Sequence, residues 1–136
     1  MAQLFTWNPS YETGIREIDA QHRKLVEILN SLYDAMSKGQ ANKVLGPLLD
    51  ELVKYTIVHF ATEERLFKQY GYPDAAMHKK EHDDLTAQAK KLQADFNAGR
   101  VSLSLAVGAF LKDWLSKHIL QSDRKYAPFL ASKGVK

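Results

Sequence analysis

Two pairs of metal-ligating residue types occur at a spacing of four: His59 with Glu63, and His78 with His82. Because residues four apart lie on one face of a helix, each pair can direct both side chains at one metal ion. Residues 70–74, between the pairs, contain a glycine and a proline that predict a helix end followed by a helix start. Two antiparallel helices would then bring both pairs to one level of a shared core. This geometry is typical of a metal site.

All five histidines of the chain fall on predicted inner helix faces: His22, His59, His78, His82 and His118. A single histidine on an apolar face is more often a satisfied core residue than a ligand. Five buried imidazoles without partners, however, would cost on the order of 1–3 kcal/mol each. That sum is comparable with the whole stability of a small domain. We therefore interpret the histidines as ligands.

Two carboxylates accompany the histidines: Glu63 follows His59 by four residues, and Asp123 follows His118 by five. Alone, either would fit a solvated helix face, but carboxylates are rarely buried unless they are paired or bind a metal. We therefore expect both to be ligands. A spacing of five leaves an angular offset of about 140° on a regular helix. We accordingly predict a π-type turn, or a break after Leu120, that brings Asp123 round to the site.

The apolar periodicity predicts an all-α, antiparallel up-down-up-down four-helix bundle in a single domain of residues 1–136. Residues 1–18, with Phe5 and Trp7, would form an extended N-terminal arm. Residues 19–123 would form the bundle, and residues 124–136 a C-terminal cover with a short helix.

Caps and stops set the predicted ends of the four helices. The predicted spans are Asp19, as N-cap, to Lys38; about Ala41 to Tyr70; Asp74, as N-cap, to about Ala98; and a fourth helix capped by Ser102. Gly39 and Gly99 are predicted stops, and Gly46-Pro47 either kinks the second helix or marks its start. The predicted inner positions of the fourth helix are Leu103, Val107, Phe110, Leu111, Trp114 and His118.

Composition excludes several classes of function. The chain has no cysteine, which removes disulfides, thiolate nucleophiles, iron–sulfur clusters and most structural zinc sites. Its net charge of +3 comes without a basic stripe interleaved with aromatics, so we do not expect nucleic-acid binding. No apolar run is long enough for a membrane span, and the start lacks the regions of a signal peptide. We expect a cytoplasmic monomer.

Seven ligands are too many for one tetrahedral zinc ion. Two octahedral ions offer about twelve positions, of which five imidazoles, two bridging carboxylates and one bridging solvent fill about eleven. One vacancy in an apolar cage would admit a small diatomic ligand. Only redox-active metals bind dioxygen by electron transfer, and we choose iron. Because the ferritin-like di-iron enzymes use more carboxylates, reversible binding is favoured here over oxidation.

These residues resemble the hemerythrin family, and in particular its single-domain bacterial members. The resemblance rests on Trp7, Gly14-Ile15, residues 18–22 ending at His22, His59-Phe60, Glu63-Glu64, Tyr72-Pro73, His78 to His82, Trp114 to His118, and Asp123. It implies reversible dioxygen binding at a non-haem di-iron centre, for oxygen transport, storage or delivery, rather than enzymatic catalysis. A downstream oxygen-consuming enzyme would be a further partner.

The resemblance also implies a role for each ligand. One iron would be bound by His78, His82 and His118, and the other, with the open position, by His22 and His59. Glu63 and Asp123 would bridge the ions together with a solvent-derived oxo or hydroxo group.

An apolar oxygen pocket is implied at Phe60, Trp114, Leu115 and Ile119. Ordinary core packing accounts equally well for Leu115 and Ile119. Gln21, Tyr126 and backbone carbonyls are candidates to orient the non-ligating imidazole nitrogens.

Two other classes of function stay open: an oxygen or redox sensor module, and a di-iron enzyme such as a peroxidase, nitric-oxide reductase or oxidase. We expect no fused signalling domain in 136 residues, which argues against the sensor. Fast multi-turnover reduction of peroxide or nitric oxide would favour the enzyme.

Overall fold

The computed structural model describes residues 6–39, 42–99 and 105–136, and these residues are helical with no β-strand among them. The all-α prediction is therefore confirmed. The elements are α1 (Arg16–Ser37), α2 (Asn42–Tyr70), α3 (Ala75–Asn97), α4 (Leu105–Ser116), a π-helical segment (Lys117–Asp123) and α5 (Arg124–Ser132). One 3-10 turn, Pro9–Tyr11, precedes α1. The C-terminal cover is a short helix, as predicted.

The start of α1 differs from the prediction. The helix begins at Arg16 with Ile15 as its N-cap, so the prediction of Asp19 as the N-cap was wrong. The Asp19 carboxylate instead reaches back and accepts hydrogen bonds from the Thr13 backbone N–H and hydroxyl, each at 2.8 Å, and from the Gly14 N–H at 3.1 Å. Asp19 lies inside the first turn of α1, and its carboxylate satisfies hydrogen-bond donors in the turn that precedes the helix.

The stop residues predicted after α1 and α3, and the N-cap predicted for α3, agree with the structure. Gly39 and Gly99 follow α1 and α3 with left-handed backbone angles, and Asp74 is the N-cap of α3. Between α2 and α3, Gly71 has a φ of 68°, which glycine adopts without the steric cost of a Cβ. The second helix runs unbroken from Asn42 through Pro47, so it does not start at Gly46-Pro47. The predicted features at Phe5, Ala41, Ser102 and Leu103 lie outside the described residues.

Two apolar clusters hold the helices together, α1 packing against α2 and α4, and α2 against α3. The larger cluster is centred on leucines of α1, α2 and α4, among them Leu29, Leu52 and Leu111. The smaller one joins Ile18 and Phe67 to Tyr126 and Leu130 of α5. Each cluster supplies fully buried apolar side chains, and burial of one such side chain contributes about 1.5–3 kcal/mol. The layer between the clusters contains His22, one turn after Ile18 along α1.

The buried face of α4 is shifted from the predicted one. Leu111, Trp114 and Leu115 are buried, but Phe110 is 42% exposed, so its predicted inner position was wrong. Successive residues turn a helix by about 100°. Leu111, Trp114, Leu115 and His118 define the buried stripe. Phe110 is rotated about a quarter turn away from the centre of that stripe.

The part of the N-terminal arm that is described packs against the larger cluster through its aromatics. Trp7 and Tyr11 are partly buried there, and their rings meet edge to face at 5.5 Å. The Arg23 guanidinium of α1 lies 5.2 Å from the centre of the Trp7 ring. The arm is thus attached to α1 by aromatic packing and a cation–π contact. None of the described helices is both long and apolar enough to cross a membrane.

Candidate metal centre

The five imidazoles and two carboxylates singled out in the sequence come together in the layer between the two apolar clusters. Glu63 and Asp123 are fully buried, and none of the five histidines is more than 5% exposed. The side chains come from four elements: His22 from α1, His59 and Glu63 from α2, His78 and His82 from α3, and His118 and Asp123 from the π-helical segment.

The ligand-type atoms form two overlapping groups, and within each group all atoms lie within 4.8 Å of one another. One group contains His22 and His59, and the other contains His78 and His82. Glu63, His118 and Asp123 belong to both groups. Each group could hold a metal ion, and the two groups share both carboxylates.

Asp123 faces both groups at once. Its Oδ2 atom lies 2.5 Å from His22 Nε2 and 2.8 Å from His118 Nε2. Its other oxygen, Oδ1, lies 3.1 Å from His78 Nε2. The two oxygens of one carboxylate are thus directed at histidines of different groups, which is what a bridging ligand requires.

Glu63 is the second shared carboxylate. Its Oε1 atom lies 3.0 Å from His82 Nε2 and 3.2 Å from the Nε2 atoms of His59 and His118. Neither oxygen of Glu63, however, has a hydrogen-bond partner of good geometry among the described residues. A buried carboxylate without hydrogen bonds is costly unless a cation offsets its charge.

Close contacts between imidazole nitrogens also fit a cation site. His59 Nε2 lies 3.1 Å from both His22 Nε2 and His118 Nε2. Neutral imidazoles can satisfy few of these contacts by hydrogen bonding, because each ring has one donor nitrogen. Nitrogens and carboxylate oxygens that converge without enough donors suit divalent transition metals such as iron, manganese or zinc. The residues present therefore fit resident metal.

The electrostatics of the metal-free cluster are those of a buried ion network. Burial and the Asp123 charge oppose ionisation of Glu63, but His59 and His118 outweigh them and lower its pKa to about 2. Burial likewise opposes the charged form of His118, yet Asp123 and Glu63 raise its pKa to about 10. Burial is the largest influence on His59 and lowers its pKa. The metal-free centre thus holds a proton on His118 between two carboxylates.

The π-helical segment explains how residues five apart share one site. His118 and Asp123 both lie in Lys117–Asp123, and the wider turn lets their side chains meet at 2.8 Å. The predicted π-type turn is therefore confirmed. The Ser122 hydroxyl donates a hydrogen bond to Glu81 of α3, which attaches the segment to a neighbouring helix. Such widened turns frequently occur at functional sites.

Two side chains form hydrogen bonds with imidazole nitrogens that point away from the centre, the Nδ1 atoms of His59 and His82. Gln21, a predicted candidate, places its Oε1 atom 2.7 Å from His59 Nδ1. Glu64, to which the sequence analysis assigned no role, places Oε2 at 3.2 Å from His82 Nδ1. No spacing rule could have found this contact, because it joins α2 to α3.

Tyr126 is fully buried, and burial, reinforced by Asp123 and Glu63, raises its pKa well above 10.

The residues of the implied oxygen pocket are apolar and buried where the structure describes them. Phe60 stacks on the His82 ring at a centroid distance of 3.9 Å and contacts the His118 ring at 4.7 Å. Trp114 and Leu115 are at most 5% exposed. The side chain of Ile119 lies outside the described part of the molecule.

Comparisons with known proteins agree with this geometry. Residues 13–130 match the model of the hemerythrin HHE cation binding domain. The chain is 35% identical to the bacteriohemerythrin of Methylococcus capsulatus (strain Bath) over 95% of this chain and 98% of that protein. It is 38% identical to the bacteriohemerythrin of Stenotrophomonas maltophilia over 91% of this chain and 80% of that protein.

A solved structure is also similar. The crystal structure of a wild-type hemerythrin superposes with a TM-score of 0.86 at 35% identity, covering 92% of this chain and 96% of that one.

Proposed function

The chain belongs to the hemerythrin family, and on that premise we propose that it binds dioxygen reversibly at a non-haem di-iron centre. We also propose that its helices form an antiparallel up-down-up-down four-helix bundle. The observation that carries the proposal is the pair of overlapping groups of buried ligand atoms, each spanning no more than 4.8 Å. Oxygen transport, storage or delivery would be the physiological role.

The proposed ligand set separates His22 and His59 from His78 and His82, as the two groups do. The place of His118, which belongs to both groups, is taken from the family resemblance. His78, His82 and His118 would hold one iron and His22 and His59 the other, with Glu63 and Asp123 as bridges alongside an oxo or hydroxo group. The two oxygens of Asp123 support placing His78 and His22 at different ions, since Oδ1 faces His78 and Oδ2 faces His22. Because Oδ2 also faces His118, Asp123 does not assign His118 to either ion. The proposed metal position that is held by only two histidines would be the one open to a small ligand.

When bound, a ferrous pair would supply the reducing electrons that reversible dioxygen binding needs. The chain contributes five neutral imidazoles and only two carboxylates. Fewer anionic ligands stabilise the ferric state less than the carboxylate-rich sites of ferritin-like enzymes do. This ligand charge supports reversible binding over oxidation of a substrate.

Apolar residues would keep water and protons from the bound gas. Phe60 covers the His82 ring with its face, and Leu115 is buried. The Trp114 indole N–H is engaged by the Leu85 carbonyl oxygen at 3.1 Å, so its proton is not offered to the centre. Exclusion of water and of proton donors slows side reactions of a reactive ligand. We propose this protective role for Phe60, Trp114, Leu115 and Ile119.

The proposal is tested with the iron-loaded, reduced protein. Its absorption spectrum is recorded without oxygen, after admission of air, and again under vacuum. We expect a charge-transfer band that appears with air and disappears under vacuum over repeated cycles. A band that never forms, or that decays at once to the oxidised protein, would contradict reversible binding.

A parallel assay separates the carrier from a di-iron enzyme. The same protein is mixed with excess peroxide or nitric oxide under reducing conditions, and turnover is followed. We expect less than one turnover during a full oxygenation cycle. Sustained multi-turnover reduction would establish an enzyme instead. The cytoplasmic location and the monomeric state stay predictions from the sequence.

A further inference from the structure

Two histidines of the centre have side-chain partners of different charge. The outward nitrogen of His59 meets the neutral amide of Gln21, and that of His82 meets the carboxylate of Glu64. By the proposed ligand set, on which this inference rests, these histidines bind different ions. The contrast therefore distinguishes the two metal positions.

Hydrogen bonds fix the orientation of the Gln21 amide. The Thr62 hydroxyl donates to the Val58 carbonyl oxygen at 3.1 Å, so a lone pair of that hydroxyl is left to accept. The Gln21 amide N–H donates to it at 3.0 Å. The amide oxygen of Gln21 must then accept from the Nδ1–H of His59, which leaves Nε2 of that ring free to bind a metal.

Glu64 fixes the tautomer of His82 in a different way. A carboxylate only accepts hydrogen bonds, so His82 must carry its proton on Nδ1, and its Nε2 lone pair faces the centre. The Nε2 atom has no hydrogen-bond partner among the described residues. The side chain of Glu64 is 32% exposed while that of His82 is 1% exposed, so a charge at the surface acts on a buried ligand.

The difference in partner charge should make His82 the stronger metal ligand of these two histidines. A carboxylate that accepts the Nδ1 proton raises the basicity of an imidazole ligand and holds its orientation. The His82–Glu64 contact is longer, at 3.2 Å, than the His59–Gln21 contact at 2.7 Å, so the difference lies in the charge of the acceptor and not in a shorter hydrogen bond. A more basic imidazole donates more strongly to a divalent cation. The Glu64 carboxylate should therefore add to the affinity for the ion bound by His82, and the Gln21 amide should add less to the affinity for the ion bound by His59.

We propose that Glu64 is a positioning residue for His82, and that its charge strengthens the binding of divalent metal at the three-histidine position, whereas the neutral Gln21 gives no such strengthening at the other position.

The test uses cobalt(II) and the metal-free full chain, with binding followed by calorimetry and visible absorption. Wild-type protein should take up two cobalt ions in two distinguishable steps. Glu64→Gln keeps an acceptor without the charge and should weaken one of the two steps by about tenfold; Glu64→Ala removes both and should weaken it by up to about a hundredfold. The other step should stay unchanged. Gln21→Glu should strengthen that other step.

Lys79→Ala is the matched control. The Lys79 ammonium lies 3.9 Å from Glu64 and pairs with Asp83 at 3.1 Å, so its removal disturbs the same surface without touching an imidazole. Both cobalt steps should be preserved in this variant. In the cobalt-loaded protein, the shifted ring N–H proton resonance of His82 should move in Glu64→Gln and stay in place in Lys79→Ala.

The outcomes that overturn the proposal are distinct. Two unchanged steps in Glu64→Ala, or an equal loss in Lys79→Ala, remove the positioning role. Full retention of affinity in Glu64→Gln removes the role of charge. Uptake of a single cobalt ion by the wild type would contradict the paired centre, and with it the proposed function. Two cobalt ions with the expected loss in the Glu64 variants, but no reversible oxygenation of the iron form, would contradict only the proposed function.

Discussion

At the scale of single residues, His118 balances the charge of the centre. Its Nε2 atom lies 2.8 Å from Asp123 and 3.2 Å from Glu63, and both carboxylates are fully buried. Removing a carboxylate from water costs on the order of several kcal/mol unless an opposite charge compensates. Without metal, the proton on His118 provides that charge, and with metal the cations do. Protons and metal ions therefore compete for this side chain.

Replacing His118 by alanine should reduce metal content sharply. The three-histidine position would keep two imidazoles plus the carboxylates, and fewer ligands weaken binding. Metal per chain is measured by atomic emission after loading with iron and desalting, and helix content by circular dichroism. Lys117→Ala, at an exposed position of the same segment, should retain the wild-type content. An unchanged iron stoichiometry in His118→Ala would remove this residue from the ligand set.

The stability of the metal-free protein should be greatest near pH 6.5. The pKa of His118 is raised from 6.5 to about 10, so its contribution is complete below 6.5 and is lost as pH rises through 10. The pKa of His59 is lowered, so protonation of the unfolded chain costs stability below 6.5. Glu63, lowered from 4.5 to about 2, adds a further loss below 4.5.

This pH profile is measured by urea denaturation of chelator-treated protein at pH values on both sides of 6.5. Metal-loaded protein is the comparison. Because a cation replaces the proton on His118, the alkaline decline should be smaller in the loaded form. Rising stability of the metal-free form between pH 6.5 and 10 would show that His118 is not held in its charged state.

At the scale of elements, two irregular places set the geometry of the centre. The π-helical segment Lys117–Asp123 gives His118 and Asp123 a common direction. The turn between α2 and α3 reverses the chain between Tyr70 and Ala75, and so places the ligand pairs of the two helices side by side. Regular helices alone would have supplied neither alignment.

The turn at Gly71 provides an element-scale prediction. Gly71→Ala should destabilise the protein by about 1 kcal/mol, because an alanine at a φ of 68° is strained. Gly46→Ala is the matched control, since Gly46 lies inside α2 and an added Cβ would meet Phe96 at an ordinary 3.6 Å. The control should be close to neutral, because the better helix propensity of alanine is offset by the restriction that Pro47 places on the residue before it. Urea denaturation of the metal-free variants measures both values, and equal effects would contradict the assignment of strain to the turn.

At the scale of the whole molecule, a polar layer separates two apolar clusters. The layer contains ligand-type side chains from α1, α2, α3 and the π-helical segment. Metal ions bound there would therefore link these four elements to one another. An unfolded chain cannot assemble such a site. Metal binding therefore couples to global folding.

Removal of metal should lower the melting temperature of the protein. Ligand that binds the native state alone stabilises it by about 2.7 kcal/mol at a hundred times its Kd. Scanning calorimetry of loaded and chelated samples measures the shift, which should grow with the logarithm of free metal concentration. Magnesium, which prefers oxygen ligands, should produce no comparable shift. A melting temperature that is indifferent to iron or cobalt would contradict a resident metal.

The sequence by itself determined the helices and the faces on which the chemistry lies. The pairs His59–Glu63 and His78–His82 share faces because a helix repeats every 3.6 residues. The spacing of five between His118 and Asp123 required a widened turn for the same reason. These inferences depend on local geometry, which a periodic sequence encodes directly.

Only the tertiary structure decided which distant residues meet. Glu64 bonds His82 because α3 lies beside α2, and Phe110 is exposed because the packing of α4 selects a different stripe. The Asp19 carboxylate turns back to the Thr13 turn rather than capping its own helix. Such contacts depend on how helices pack, and packing is a sum of many weak contacts that residue spacing along one helix does not specify.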